Sequence, residues 1–570
     1  MLIDDFEEEC IILLKDSIDS ELEDLELKKY PESAECLITS EVCFKIANKQ
    51  ETNPSKLSED ITNKMNIGDF ELVGKVKNVG PYINFFPSDT WFKKSVNQLS
   101  NSDITNWTDI ESGEISVEHT SINPTGPVHI GRARNSIIGD FISNLAETVG
   151  KEVTRQYYVN NAGLQVAKIV WGYKTFSEDE LPEPNCDKDS CSLVRYYQKA
   201  DEELDKDKIK KAQKEGLPGS NEQEVIDIQE NIEKLDENTM EIVDNVVKRM
   251  LNSQLESFEE IGVSFDDFTF ETEYIDSEDM VNMLEHLKNS KYCNKIDGAW
   301  VIEYDDSEFV IERSNGTTLY STRDILYQKE KAEKFDEFIV VLGEDQKQHI
   351  KNVKYTLEKL GTDTSGMKDV YHAFVSTPDG GMSARKGTGD FLYEVLAETE
   401  SKAREEIGDI SEDSLAKDIA VGSLRYNLLS KKRSQPVTFD YEKAVSVNSQ
   451  TGPSIQYSYV RLNGILKDAN ESDNYSFDPD YIETDEEIEI LYKLSEFPLV
   501  LENTWGQLEP IKITKYLHEL QQIINKFYDK NPVLEAEGKT KQNRLVIVEL
   551  SKKIMEISME ITGIPTVNEM

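Results

Sequence analysis

Residues 115–145 read ISVEHTSINPTGPVHIGRARNSIIGDFISNL. ISVEHT is a strand, TSINPTGPV a Pro/Gly-rich turn, and the rest a helix. Ile137, Ile138, Phe141, Ile142 and Leu145 recur at helical spacing, and Gly150 marks the stop. Strand, glycine turn and helix together form a phosphate site in α/β proteins, because the first N–H groups of the helix are free and its positive end faces the ligand. His129, Gly131 and Arg132 at that turn imply a nucleotide handled by backbone, imidazole and guanidinium.

Working outward, VTRQYYVNN at 153–161 is the next strand, so the region opens a doubly wound parallel sheet. The expectation is that AWVIEY (299–304), FVIERSNG (309–316) and TLYSTRDILYQ (318–328) resume that sheet. FDEFIVVLGEDQKQH (335–349) and DVYHAFVST (369–377) follow. FIVVLG is the kind of apolar run buried in a parallel sheet. Between about 172 and 260 the rhythm breaks. KADEELDKDKIKKAQKEG and QEVIDIQENIEKLDEN read as exposed inserted helices whose charges form a solvated face. Upstream, FELVGKVKNV and GPYINFF are short strands in a first unit of mixed α and β structure, residues 1–107, and NQLSNSDITNWTD (97–109) reads as a linker. The sheet unit spans 108–412. From 413 to 570 helical periodicity dominates, as in IAVGSLRYNLLSKK and NRLVIVELSKKIMEISMEI, giving an all-α bundle. The 570 residues are too many for one core and call for several domains.

The chain has no run of 18 apolar residues, and MLIDDFEEEC lacks a signal-peptide pattern, so the expected location is the cytoplasm, with no membrane span. Six cysteines are scattered. Cys186 and Cys191 form a C-x4-C pair with no second pair nearby, so reduced, structurally neutral thiols are expected rather than zinc. The net charge of −47 argues against a nucleic-acid partner unless salt intervenes. At molar salt the Debye length falls to about 3 Å, repulsion at a distance vanishes and only local contacts count. The composition therefore fits a salt-accumulating cytoplasm.

Four of the six histidines, His119, His129, His349 and His372, fall in the strand and turn segments quoted above. HIGR at 129–132 resembles the HIGH signature of class I aminoacyl-tRNA synthetases. GGMSARKG at 380–387, about 250 residues on, resembles their KMSKS loop. Arg132 replaces the second signature histidine, and Gly381 and Ala384 stand at the two lysine positions. Met382, Ser383, Arg385 and Lys386 then form the catalytic loop with His129, Gly131 and Arg132, the charge coming from Arg385 and Lys386. Amino-acid activation is an in-line attack on the α-phosphate of ATP, which needs donors and positive charge more than covalent chemistry. Thr125, Gly126, His129, Gly131, Arg132 and His349 are the expected ATP contacts, with Mg²⁺ accompanying the nucleotide.

VEHTSINPTGPVHIGRARNSIIGD, YYVNNAGLQ, NGTTLYSTRDI, LGEDQKQH and MSARKG resemble arginyl-tRNA synthetases in particular. The resemblance implies that Glu118, Asn123, Tyr320, Asp324 and Gln346 bind L-arginine, with Gln348 the rival for the last position. The residues suit that role. Tyr320 and Asp324 share a helical face at i, i+4, and carboxylates match the guanidinium fork. A carboxylate amino acid would instead want basic residues at Glu118 and Asp324. GPYINFF resembles the end of the family's N-terminal module, which contacts the tRNA elbow, and this implies RNA contacts at Tyr82 and Asn84. TGPSIQYSYVRLNGIL and the terminal TGIPTVNEM resemble its anticodon-binding bundle, with Gln456, Tyr457 and Arg461 as tRNA contacts and Tyr459 beside them. The implied activity is arginine–tRNA ligase: arginyl-adenylate formation, then transfer to the 2′-OH of the terminal adenosine of tRNA(Arg), with tRNA bound before activation. No zinc and no editing module are expected, since a guanidinium is distinctive enough to select directly. The chain is expected to act as a monomer.

Overall fold

In the catalytic region the chain enters β1 (Gly113–Thr120), turns into α1 (Ile130–Thr148) and returns as β2 (Lys151–Val159). The computed structural model describes the chain except residues 19–24, 26, 32–35, 305–306, 378–389, 409–412 and 470–474. After β2 come α2 (Leu164–Thr175), α3 (Asp189–Glu203), α4 (Asn221–Glu233) and α5 (Glu237–Glu259), then β3 (Asp267–Phe270). The unit closes with α6 (Tyr320–Lys334), β4 (Glu337–Gly343), α7 (Lys347–Leu360) and β5 (Met367–His372). The sheet order is β5-β4-β1-β2-β3, and every pairing is parallel. From β1 the chain builds outward through β2 and β3, then crosses to the far side of β1 to lay down β4. The strand order therefore reverses between β1 and β4, and a ligand crevice is expected at their carboxyl ends.

Apolar burial explains the layers. Ile137, Ile138, Phe141, Ile142 and Leu145 of α1 are fully buried, as are Val117 of β1 and Ile339 of β4. Gly139 lets α1 press against β1, because a Cβ there would overlap the His119 side chain.

Several expectations are corrected. AWVIEY and FVIERSNG do not resume the parallel sheet. Ala299–Tyr304 and Ser307–Glu312 pair antiparallel with each other, and Cys293–Ile296 completes a separate three-stranded sheet. TLYSTRDILYQ is largely helix α6. The supposed linker begins inside a helix, Asp89–Asn101, whose apolar face buries Trp91, Phe92, Val96 and Leu99. The inserted helices are not merely exposed. Along α5, Val243, Val246, Val247, Met250, Leu251, Gln254 and Phe258 are buried, a helical stripe that the abundance of charge in the segment masks. Cys186 and Cys191 form a disulfide rather than free thiols. The turn into α3 brings their Cα atoms to 5.7 Å, within bridging range.

The first unit carries a four-stranded antiparallel sheet ending in the hairpin Val73–Val79 and Tyr82–Pro87. C-terminal helices, among them Asp413–Leu429, Gly452–Ala469, Ile511–Lys530 and Gly538–Thr562, pack into the bundle. Arg425 fastens that bundle to the catalytic unit. It pairs with Asp140 of α1 and donates to the carbonyls of Thr562 and Ile261, both at 2.7 Å. Val437–Thr438 pairs in parallel with Val375–Ser376, so the chain returns to the catalytic unit after residue 413. Among the described residues no helix is long and apolar enough to cross a membrane.

Candidate active site

The turn after β1 is organised by His129. Its Nδ1 accepts a hydrogen bond from the Gly131 N–H at 3.1 Å, so the imidazole caps α1. An accepting Nδ1 places the proton on Nε2, and that buried atom has no partner among the described residues. Burial pushes the His129 pKa below the ordinary histidine value. Asp390 opposes this and Arg132 adds to it. The result is a neutral ring offering one unused N–H. Arg132 is exposed on the first turn of α1. Thr125 donates its N–H to the Asn123 carbonyl at 2.8 Å, which tightens the turn ahead of Gly126.

The chain just beyond the second signature docks on this turn. Ile130 N–H donates to the Asp390 carbonyl at 2.9 Å, Leu392 N–H donates to the Val128 carbonyl at 2.8 Å, and Thr377 N–H reaches the Asp390 carboxylate at 3.3 Å. Thr377 and Asp390, which flank 378–389, are therefore anchored beside the turn of His129. Met382, Ser383, Arg385 and Lys386 lie outside the described residues.

A second wall is built from β1, α6 and the start of α7. Asp324 accepts from His349 Nε2 at 2.5 Å and from Gln328 Nε2 at 3.0 Å. Burial raises the Asp324 pKa, but the His349 and Gln328 hydrogen bonds outweigh it and hold the carboxyl below its usual value. Glu118, buried at the end of β1, accepts from Lys331 Nζ at 2.5 Å and Gln328 Nε2 at 3.1 Å, both on Oε2. Tyr320 stands half-exposed with its ring 5.2 Å from that of His349. Gln346 ends the turn after β4 and donates to its neighbour Asp345, whereas Gln348 is exposed and donates to Asn352 along its own helix. Asn123 donates to Gln165 at 2.9 Å.

Five residues on this wall, Gln328, Lys331, Glu271, Arg323 and Glu233, were not anticipated. Gln328 and Lys331 continue the α6 stripe from Tyr320 and Asp324 at helical spacing, so the periodicity could have found them. Gln328 Oε1 is buried without a partner among the described residues. Glu271 follows β3 with no local signature. It pairs with Arg323 at 2.7 Å, and Glu233 of α4 pairs with the same guanidinium. Burial pushes the Glu271 pKa up against the opposing pull of Arg323. Glu118, Glu233, Glu271 and Asp324 thus face two fixed cations, Arg323 and Lys331. Even with His349 protonated, the wall has an excess of negative charge, and a buried excess calls for a cationic ligand.

This geometry matches known proteins over its whole length. Residues 96–441 match the family "tRNA synthetases class I (R), catalytic domain", 455–570 the "DALR anticodon binding domain", and 2–86 the "Arginyl tRNA synthetase N terminal domain". The arginine–tRNA ligase of Haloarcula marismortui is 34% identical, with 96% of each chain covered. That of Haloquadratum walsbyi is 32% identical, with 95% covered on both sides. The chain belongs to the arginyl-tRNA synthetase family. The solved arginyl-tRNA synthetase of Thermus thermophilus shares the fold at a TM-score of 0.76 with 21% identity, covering 100% of both chains.

The positions expected to bind RNA divide by exposure. Tyr82 is exposed on its hairpin and packs edge-on against the exposed Phe44, ring centres 5.6 Å apart. Asn84 is buried, its oxygen accepting from Thr39 at 2.7 Å. Tyr457 is exposed, and Arg461 lies 4.4 Å over the Tyr528 ring. Gln456 is fully buried and donates to the carbonyls of Asp418 and Pro565, which makes it an internal tie of the bundle. Tyr459 is buried, with its hydroxyl donating to Glu556 at 3.1 Å.

Proposed function

We propose that the chain is an arginine–tRNA ligase. An oxygen of the arginine carboxylate attacks the α-phosphorus of ATP, and pyrophosphate leaves as arginyl-adenylate forms. The 2′-OH of the terminal adenosine of tRNA(Arg) then attacks the carbonyl carbon, and AMP leaves. No side chain becomes covalently attached, so positioning and charge account for the acceleration. The observation that carries the reading is the buried excess of acid gathered by β1 and α6, together with a buried His129 N–H that has no partner among the described residues on the turn after the same strand.

Asp324, with Tyr320, meets the guanidinium. Glu118 contributes as an acceptor whose charge Lys331 already balances, and Asn123 and Gln346 take the amino-acid end. His129 Nε2–H and Arg132 meet phosphate. Thr125, Gly126, Gly131 and His349 shape the nucleotide site, and Gly131 permits close approach. Met382, Ser383, Arg385 and Lys386 close over the pyrophosphate. Mg²⁺ arrives on the phosphates, since among the described residues no three His, Cys, Asp or Glu side chains could cage a metal. Residues 1–107 grip the tRNA elbow through Tyr82, and 413–570 grip the anticodon through Tyr457 and Arg461. The enzyme works as a cytoplasmic monomer in high salt, where screening lets an acidic protein hold an RNA polyanion.

The test is ATP–pyrophosphate exchange in molar KCl, with and without tRNA, across all twenty amino acids. Exchange with arginine alone, and only with tRNA present, is expected. No exchange under any condition would leave a tRNA-binding protein without catalysis. An optimum at low KCl would overturn the salt reading.

A further inference from the structure

The inserted helices reach the catalytic turn. Gln254 of α5 is fully buried. Its Nε2 donates to the Gly126 carbonyl at 2.8 Å and lies 3.4 Å from the Asn123 carbonyl. Its Oε1 accepts from the Tyr157 hydroxyl of β2 at 3.0 Å, so the amide cannot rotate without losing a bond at each end. The neighbouring Ser253 holds α3 in place, its Oγ accepting from Ser190 N–H at 3.0 Å and pairing with Ser190 Oγ at 2.9 Å. Along α3, Val194 packs where a Cβ on Gly126 would meet it at 3.0 Å. The turn from Asn123 to Gly126 is thus gripped from behind by an amide and a methyl group, both from the insertion.

We infer that Gln254 is a positioning residue for both substrates, and that the insertion it belongs to is a working part of the active site. The inference rests on the reading that Asn123 takes arginine and that Gly126 and His129 take ATP. Asn123 lies at one end of the gripped turn, and His129 lies three residues past the other. With the carbonyls of Asn123 and Gly126 fixed by one amide, the Asn123 side chain and the His129 ring keep a constant separation. A slack turn would misplace both substrates together, and displacements near 1 Å are costly at a reacting centre.

Gln254→Met keeps the length and bulk of the side chain and removes all three bonds. It is expected to raise the KM for arginine and for ATP together, about 5-fold each, and to lower kcat about 10-fold, with the KM for tRNA unchanged. Tyr157→Phe, which only frees the amide to rotate, should show the same pattern at about one-third of the size. A purely structural glutamine would lower the melting temperature and leave the constants of the folded enzyme alone, and that result overturns the inference. Should Gln254→Met fail to fold, Tyr157→Phe decides: a joint rise supports the inference and unchanged constants refute it. Asn123→Ala separates the underlying reading. If it leaves the arginine KM unmoved, the reading of the site fails and this inference with it. If it raises that KM while Gln254→Met and Tyr157→Phe do not, only the role of Gln254 fails.

Discussion

The two walls of the crevice handle polarity in opposite ways. On the α6 wall every carboxylate has a partner in the free protein: Asp324 has His349, Glu118 has Lys331, and Glu271 and Glu233 share Arg323. On the α1 wall the key donor, His129 Nε2, is buried with nothing to bond among the described residues. On the proposed reading, the difference follows from what each substrate brings. A carboxylate wall left wholly unpaired would repel itself and take up protons. Pairing with His349 and Gln328 holds the Asp324 carboxyl below its usual pKa against its burial, and a cation entering the site must exchange for, or add to, partners already there. A neutral N–H carries no such penalty, so it can stand ready for a phosphate oxygen. On the proposed reading, selectivity lies on the paired wall and catalysis on the open one.

The largest expected effect falls on the open wall. His129→Asn keeps a good helix cap and withdraws the Nε2 donor. Loss of one preorganised donor to developing phosphate charge should lower kcat by roughly 100- to 1000-fold with little change in the arginine KM. A drop confined to KM would show that His129 only binds. Next is the pairing itself. Lys331→Met leaves Glu118 buried and unmatched, and should lower stability by about 3 kcal/mol or more in urea unfolding. Adding Glu118→Gln should return part of that loss, and a double variant less stable than either single would break the pairing account. Third, Asp324→Ala should lower kcat/KM for arginine on the order of 100-fold while moving the ATP KM less than about 3-fold. Equal effects on both substrates would remove Asp324 from the selective wall.

Much of this was legible in the sequence, and the misses have physical causes. The 115–145 unit disclosed itself because strand, turn and helix are contiguous and His129 sits at the cap. The stripe on α6 was half read: Tyr320 and Asp324 were found, while Gln328 and Lys331, on the same face, look like surface residues until β1 is seen beneath them. Glu271 and Gln254 could not be found locally. Each acts across the fold, Glu271 on Arg323 and Gln254 on the Asn123–Gly126 turn, and nothing in their neighbours' spacing shows it. In the insertion, charge-rich composition hid a regular apolar stripe. Gln456 and Asn84 erred in the opposite direction, since their segments do reach the surface but their own side chains turn inward.

The smallest effect concerns the histidines behind the open wall. His372 Nε2 lies 2.7 Å from Asn135 Oδ1, and Asn135 in turn donates to the His119 carbonyl, so the His372 ring and the His119 backbone brace the base of α1. Burial is the main cause that lowers both pKa values, to about 3 for His119 and about 4 for His372, with nearby arginines adding to the effect. Both rings stay neutral in the folded protein while the unfolded chain binds protons near pH 6.5. The unfolded state therefore holds more protons below that pH, and stability, complete above it, is lost as the pH falls toward the folded values. Between pH 6.5 and 5.5 each ring should account for about 1 kcal/mol of that loss. His372→Gln can keep a hydrogen bond to Asn135 and cannot titrate. Its unfolding free energy should therefore fall about 1 kcal/mol less than that of the parent over the same interval, in matched KCl. Identical pH slopes would mean that His372 titrates in the folded protein as it does in the unfolded chain, and the neutral bracing behind His129 would then be lost.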